Sequence, residues 1–249
     1  MNIAVITLAG VSSRFNENQE KKVLKGIYTA GNPRKTILYS ILEKCIGFQR
    51  VILVGGYQYE SLQEYVYTYQ RDFSFEIEMV WNPFYELYGS GYSLRKGLEQ
   101  CFIGGNFSGI VFIEGDLFFE KESFELVKKS GLSCITYNRQ PIDSKKAVVA
   151  YINEKEQIKY VFNTEHGLLK IEEPFSMLIN SGQVWKFADL ERVRLLMQEM
   201  KEEDWQGTNL VFVEKYFAGI PKESREILAL EEWENCNTRD EYFRNFEKL

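Results

Sequence analysis

The chain opens on an apolar run, Ile3-Ala4-Val5-Ile6-Thr7-Leu8, which breaks at Ala9-Gly10 into the small and polar Val11-Ser12-Ser13-Arg14. Continuous apolar runs of this length mark strands buried on both faces. The pattern returns at Val51 to Gly55 and Gly109 to Ile113, while Phe75 to Trp81, before the turn signal Asn82-Pro83, and Leu132 to Tyr137 read as strands by their β-forming residues. Between the runs the apolar residues fall at helical spacing: Ile37, Leu38, Ile41 and Leu42 within Thr36 to Cys45, then Leu62, Tyr65, Val66 and Tyr69, then Leu94, Leu98, Cys101 and Phe102. A further helix is predicted near Lys121 to Lys129. The order βαβαβαβαβ predicts an α/β fold with a mainly parallel sheet and helices on both faces, whose ligands bind beyond the carboxyl ends of the strands.

The second half is patterned differently. Ala147 to Ile152 and Ile158 to Phe162 read as short strands joined through polar Asn153-Glu154-Lys155-Glu156, a small β-hairpin addition, and Phe175 to Ile179 reads as a return to the main sheet. Helices are predicted over Asp189 to Lys201 and Asn209 to Phe217. A short strand follows at Ile227 to Leu230, and a closing helix at Arg239 to Phe246, capped by Thr238, turns Tyr242, Phe243 and Phe246 inward.

Composition narrows the class. With 249 residues, 45% hydrophobic, and no Pro/Ser/Gly-rich seam, the chain reads as one domain, its alternating half at 1–137 and its differently patterned half with the closing helices at 138–249. A formal charge of −6 argues against a general nucleic-acid or anionic-membrane binder, and no apolar run approaches the roughly 20 residues of a membrane span. A cytoplasmic location is expected. Cys45, Cys101, Cys134 and Cys236 are scattered without ligand spacing and read as buried free thiols. His166 is the only histidine, which disfavours Ser-His-Asp or Cys-His chemistry.

Two stretches carry candidate chemistry. A strand that ends in glycine, two hydroxyls and an arginine suits phosphate, because small residues let backbone N–H groups approach its oxygens and the guanidinium adds a permanent charge. Gly109 to Asp116 ends a buried strand in two acids separated by a glycine, Glu114-Gly115-Asp116, where a metal could meet those phosphates. Lys21, Lys22 and Lys25 cluster in the polar segment after the loop, where a phosphate-neutralising lysine belongs. Phe84, Tyr85, Tyr88 and Tyr92 surround a glycine-containing loop, either to stack a ligand or to pack on the loop's own base. Gly10-Val11-Ser12-Ser13 lacks the spacing of a dinucleotide fingerprint, and no Gly-x-x-x-x-Gly-Lys loop is present.

In this order the stretches resemble the nucleotidyltransferase family with a three-layer, GT-A-like Rossmann fold, especially its cytidylyltransferase branch typified by phosphocholine cytidylyltransferase. Leu8-Ala9-Gly10-Val11-Ser12-Ser13-Arg14-Phe15 is similar to the signature loop, and Lys22-Val23-Leu24 stands at the lysine motif. Val54-Gly55-Gly56-Tyr57 matches the glycine-tyrosine strand end, Val80-Trp81-Asn82 through Tyr92-Ser93-Leu94 the Asn…Ser-Leu segment, and Asp116 the metal-binding aspartate. The sequence departs from the pattern in four places. Ser12 replaces the second loop glycine, Lys21 the proline before the lysine, and an insertion surrounds Tyr28 to Arg34. Asn237 stands at the second metal aspartate, where it either coordinates metal without charge or simply caps, with Glu234 and Asp240 as acids at hand to compensate.

The resemblance implies transfer of CMP from CTP to a small phosphorylated acceptor, with Mg2+ as cofactor and pyrophosphate released. The phosphoglutamine cytidylyltransferases of capsule phosphoramidate synthesis are the looser match and make L-glutamine phosphate, or else phosphocholine, the expected acceptor. Arg14 and Lys22 would be catalytic. Leu8, Ala9, Gly10, Val11, Ser12, Ser13, Gly56, Tyr57 and Ser90 would bind the nucleotide, Tyr85 and Tyr88 the acceptor under the second-half hairpin, and Asp116 and Asn237 the magnesium. A sugar-1-phosphate nucleotidyltransferase using UTP or GTP and a non-catalytic nucleotide-binding protein are the alternatives, and self-association as a homodimer is left open.

Overall fold

The computed structural model describes residues 1–144, 147–162 and 169–246; His166 lies outside them. Its elements in chain order are β1 (Asn2–Leu8), α1 (Ile37–Lys44), β2 (Arg50–Gly55), α2 (Tyr59–Tyr69), β3 (Glu76–Trp81), α3 (Ser90–Cys101), β4 (Gly109–Glu114), β5 (Leu117–Phe118), α4 (Lys121–Lys129) and β6 (Ser133–Asn138). There follow β7 (Val149–Asn153), β8 (Ile158–Tyr160), β9 (Phe175–Phe187), α5 (Leu190–Glu199), α6 (Glu202–Gln206), α7 (Leu210–Ala218), β10 (Arg225–Ala229), β11 (Glu234–Asn235) and α8 (Arg239–Phe246).

The main sheet runs β10-β6-β9-β4-β1-β2-β3, with β1, β2, β3 and β4 mutually parallel where they pair and β10 parallel to β6. Strand alternation sends Ala4, Ile6 and Leu8 of β1 to one face and Ile3 and Val5 to the other. On the first face they meet α1, α2, α4 and α8 through Leu38, Leu62, Phe124 and Tyr242. On the second they meet α3, α5 and α7 through Leu98, Val193 and Phe212. The fold is thus a three-layer α/β sandwich. Each aliphatic side chain fully buried in it contributes about 1.5–3 kcal/mol.

All four cysteines are buried and free, as expected. Cys45, Cys134 and Cys236 lie in the first apolar layer and Cys101 in the second. Burial pushes the Cys45 and Cys236 thiols up to about 12. Among the described residues no helix is long and apolar enough to cross a membrane.

One strand differs from its expectation. The return strand is not Phe175 to Ile179 but the 13-residue β9, whose second half runs antiparallel between β4 and β6. Its first half leaves the sheet and carries the β7–β8 hairpin. The polar stretch Asn180-Ser181-Gly182-Gln183 is buried strand interrupted by a bulge: Gln183 has φ +55°, and the register with β6 shifts between Ile135 and Tyr137. The predicted helix over Asp189 to Lys201 is also shorter. Asp189 caps it by accepting from Arg192 N, and a separate short helix begins at Glu202.

Candidate active site

A cleft of about 410 Å³ lies beyond the carboxyl ends of β1 and β4. Its floor is built by the first loop. Gly115 N donates to Thr7 O at 3.0 Å and Tyr57 N to Ala9 O at 3.1 Å, so the ends of β1, β2 and β4 are tied together. Gly56 is needed at that junction because a Cβ there would come within 2.5 Å of Tyr85 Cβ and 2.9 Å of Ala9 O. After Gly10 the backbone turns through Ser12 at φ +56°, a left-handed conformation that glycine adopts freely and serine does not. That is where Ser12 replaces the loop's second glycine. The Ser12 hydroxyl has a use of its own, accepting from Lys25 N at 3.2 Å.

The cleft is lined by the loop from Leu8 through Arg14, by Tyr85, Tyr88 and Ser90, and by Asp116 and Asn237. Of the residues expected at the site, Leu8 to Arg14, Tyr85, Tyr88, Ser90, Asp116 and Asn237 are brought together here from distant parts of the chain. Arg14 is exposed on the rim and forms no ion pair among the described residues. Lys22, Gly56 and Tyr57 do not line the cleft. Lys22 is exposed on the far side of its own loop, beside Gln58 and Arg239. Gly56 and Tyr57 lie behind Ala9 and Tyr85, and the β7–β8 hairpin also stays outside.

The lysine in the cleft is Lys25. The segment before it is clamped by two side chains acting as backbone mimics. Asn16 donates to Val23 O at 2.8 Å and accepts from Val23 N at 2.9 Å, while Gln58 accepts from Leu24 N at 3.0 Å and donates to Lys22 O at 2.9 Å. Leu24 is buried, and Gly26 packs so closely on Leu8 that a Cβ would approach its Cδ2 to 2.7 Å. The Lys25 ammonium then donates to Asp116 Oδ2 at 2.7 Å and to Asn237 Oδ1 at 3.1 Å. Asn237 is held in this orientation from behind, its Nδ2 donating to Asn235 Oδ1 and its backbone N to Glu241 Oε2.

Glu114 is the second residue that the sequence reading left without a role. One strand pitch before Asp116, it points the same way, lines the cleft, and accepts from Asn209 Nδ2 at 2.7 Å. Burial, added to the negative charge of Asp116, pushes its carboxyl up to about 7. Asn209 is itself fixed by donating its backbone N to Ser90 Oγ at 3.0 Å. The Asn…Ser-Leu segment forms the wall beneath: buried Asn82 donates to Ser93 Oγ at 2.9 Å and accepts from Phe84 N at 2.9 Å. Tyr88 packs on Phe84 and Tyr92, with ring centroids 5.0 and 5.4 Å away, and still faces the cleft. The loop thus packs on its own aromatics while Tyr85 and Tyr88 also line the cleft.

Asp116 and Asn237 come together, but as a magnesium pair they do not fit while Lys25 is in place. Magnesium requires oxygens at about 2.0–2.1 Å. A metal bridging Asp116 Oδ2 and Asn237 Oδ1 would occupy the space of the ammonium already bonded to both. Asp116 Oδ1 is buried and has no hydrogen-bond partner. Glu234 is taken up by Arg244 and Asn245, and neither it nor Asp240 lines the cleft. Among the described residues no group of three His, Cys, Asp or Glu side chains is placed to hold a metal.

Solved structures share this architecture over the whole chain. The inositol-1-phosphate CTP transferase from T. maritima superposes with a TM-score of 0.68 at 15% identity, covering 100% of this chain and 96% of its own. A putative glucose-1-phosphate thymidylyltransferase from Bacillus anthracis gives 0.71 at 14%, covering 100% and 95%. The CTP:phosphocholine cytidylyltransferase from Streptococcus pneumoniae gives 0.63 at 14%, covering 99% and 98%. The fold is therefore nucleotidyltransferase-like. No curated protein matches the sequence. Residues 21–249, nearly the whole chain and including Lys25, Glu114, Asp116 and Asn237, match a single family profile, and the chain belongs to that family, described as Domain of unknown function (DUF6564).

Proposed function

We propose that this chain is a cytidylyltransferase that moves CMP from CTP to a small phosphorylated acceptor. The observation that carries the reading is the cleft itself. A glycine-and-serine loop with an exposed arginine faces a lysine, a carboxylate and an amide across a space of about 410 Å³, at the strand ends where this fold is open. A phosphomonoester oxygen attacks the α-phosphorus, the new P–O bond forms as the bond to the β-phosphate bridging oxygen breaks, and pyrophosphate leaves with that electron pair. The attacking phosphate has a second pKa of about 6 and is mostly dianionic near neutrality, so no general base is needed. What remains for the protein is alignment and charge neutralisation.

In this reading the backbone from Gly10 to Ser13 and Arg14 hold the β- and γ-phosphates. Lys25 supplies the positive charge nearest the reaction, in the role expected of Lys22. Leu8 and Ala9 border the base, with Gly56 and Tyr57 supporting them from behind. Magnesium enters as the counter-ion of the triphosphate, and no step here depends on a metal held by the protein. Two of the similar structures, the inositol-1-phosphate CTP transferase and the CTP:phosphocholine cytidylyltransferase, are named as CTP-using enzymes, which supports the choice of CTP. A carboxyl, Glu114, and two aromatic rings, Tyr85 and Tyr88, lining one cleft support an acceptor that carries an amine or quaternary ammonium, a feature shared by L-glutamine phosphate and phosphocholine.

The test is pyrophosphate release, with the four ribonucleoside triphosphates crossed against L-glutamine phosphate, phosphocholine and a panel of sugar 1-phosphates. Release with CTP and one amino or ammonium acceptor is expected. Release only with UTP or GTP and a sugar 1-phosphate would replace this reading. Tight CTP binding with no release from any acceptor would point instead to a non-catalytic nucleotide-binding protein.

A further inference from the structure

Resting on the nucleotidyl-transfer reading, we infer that Lys25 is the resident cation of this site: its ammonium fills the place between Asp116 and Asn237 that a divalent metal would need, and the triphosphate binds without a metal held by the protein. Three independent features of the chain converge on that place. The first is the backbone. Ser12 Oγ on Lys25 N, Gln58 on Leu24 N, and Gly26 against Leu8 fix the root of the lysine beside the end of β4. The side chain is delivered to Asp116 by the fold and does not arrive from a solvated loop. It is well shielded, at 18% exposure against 19% for Asp116.

The second feature is charge. Asp116 and Lys25 together are neutral, and Asn237 offers its carbonyl oxygen but no charge. A dication placed among them would be attracted by Asp116, with Glu114 also lining the cleft, and repelled by the ammonium already bonded to Asp116 Oδ2. With an aspartate at 237 the balance would favour a metal; with asparagine it favours a single positive charge. The third feature is orientation. Asn235 and Glu241 hold Asn237 so that its oxygen, not its NH2 group, faces the ammonium. An amide held only as a helix cap would have no need of that direction.

The experiment is calorimetric titration of CTP into the full-length protein, in EDTA and in magnesium, paired with the electron paramagnetic resonance of Mn2+ in the absence of nucleotide. CTP is expected to bind in EDTA within about threefold of its affinity in magnesium, and Mn2+ without nucleotide should stay free up to millimolar concentration. Lys25→Met should lose about tenfold or more of the EDTA affinity, and Lys25→Arg should retain most of it. Lys25→Met combined with Asn237→Asp should immobilise Mn2+. Wild-type binding of CTP that vanishes in EDTA and returns with magnesium would overturn the inference while leaving the nucleotide reading in place. Failure to bind any triphosphate in either buffer would remove both. The comparison of buffers needs only the wild-type chain, so it decides the matter even if a variant does not fold.

Discussion

Ser12 holds a left-handed backbone conformation that costs a non-glycine residue about 1–2 kcal/mol, and its hydroxyl offsets part of that by accepting from Lys25 N. The two effects separate by mutation. Ser12→Ala keeps the strain and loses the acceptor, and should lower stability in urea by about 1 kcal/mol. Ser12→Gly loses the acceptor but releases the strain, and should fall within about 0.5 kcal/mol of wild type. Equal losses in both would show that the strain is absent.

Glu114 gives a second test at the same scale. Its carboxyl is held near 7 in the folded chain, against about 4.5 when unfolded, so the folded state binds the proton more tightly. Its stabilising contribution is complete below about pH 4.5 and is lost as pH rises through 7. Glu114→Gln should remove that loss, gaining on the order of 2 kcal/mol on wild type between pH 5 and 8, read from urea midpoints at the two pH values.

The two residues differ in how legible they are. Glu114 and Asp116 are separated by one residue at the end of an apolar run, so a strand places both on one side, and the sequence carried that signal. Lys25 and Lys22 could not be told apart that way. What selects Lys25 is the grip of Asn16 and Gln58 on the backbone of residues 22 to 24, and Gln58 is 34 positions from the nitrogen it holds.

At the scale of elements, α3 can lie close to the sheet because Gly97 faces β1. A Cβ at Gly97 would overlap Val5 Cγ1 and approach Val54 Cγ2 to 3.2 Å, both fully buried side chains. Alanine improves the intrinsic helix propensity by about 1 kcal/mol, but forced overpacking costs about 1–3 kcal/mol. Gly97→Ala should therefore destabilise, and because α3 begins at Ser90 beside the cleft, it should weaken nucleotide binding too. A more stable variant, seen by thermal melting, would contradict this packing.

Elements with regular periodicity were legible: the parallel strands and α1 to α4 lie within a few residues of their expected bounds. β9 was not, because its polar centre satisfies itself inside the sheet. Thr136 Oγ1 donates to Val184 O at 2.6 Å, Asn138 donates to Ser181 O at 3.0 Å, and a side chain at 182 would strike Thr136. Hydrogen bonds to a partner strand forty residues away leave no trace in a hydropathy pattern.

For the whole molecule, the same strand decides what can fold alone. β6 reaches β4 only through β9, so a chain ending at residue 137 would leave β4 with an open, fully apolar edge and β6 with neither neighbour. Such a fragment should lack dispersed amide resonances and aggregate, although it holds every residue lining the cleft except Asn237. An independently folded fragment 1–137 would instead make the nucleotide half a domain in its own right.

The buried thiols turn that cooperativity into something that can be timed. A soluble aromatic disulfide reacts with a cysteine only when the chain breathes open, so each of the four reports on its own surroundings without a probe being introduced. Three sit beneath one helical layer and one beneath the other. If both layers open in a single event, all four colour-forming reactions share one rate. A lone early equivalent, traced by peptide mapping to Cys101, would mean that the α3 side loosens first, and the wall of the cleft with it.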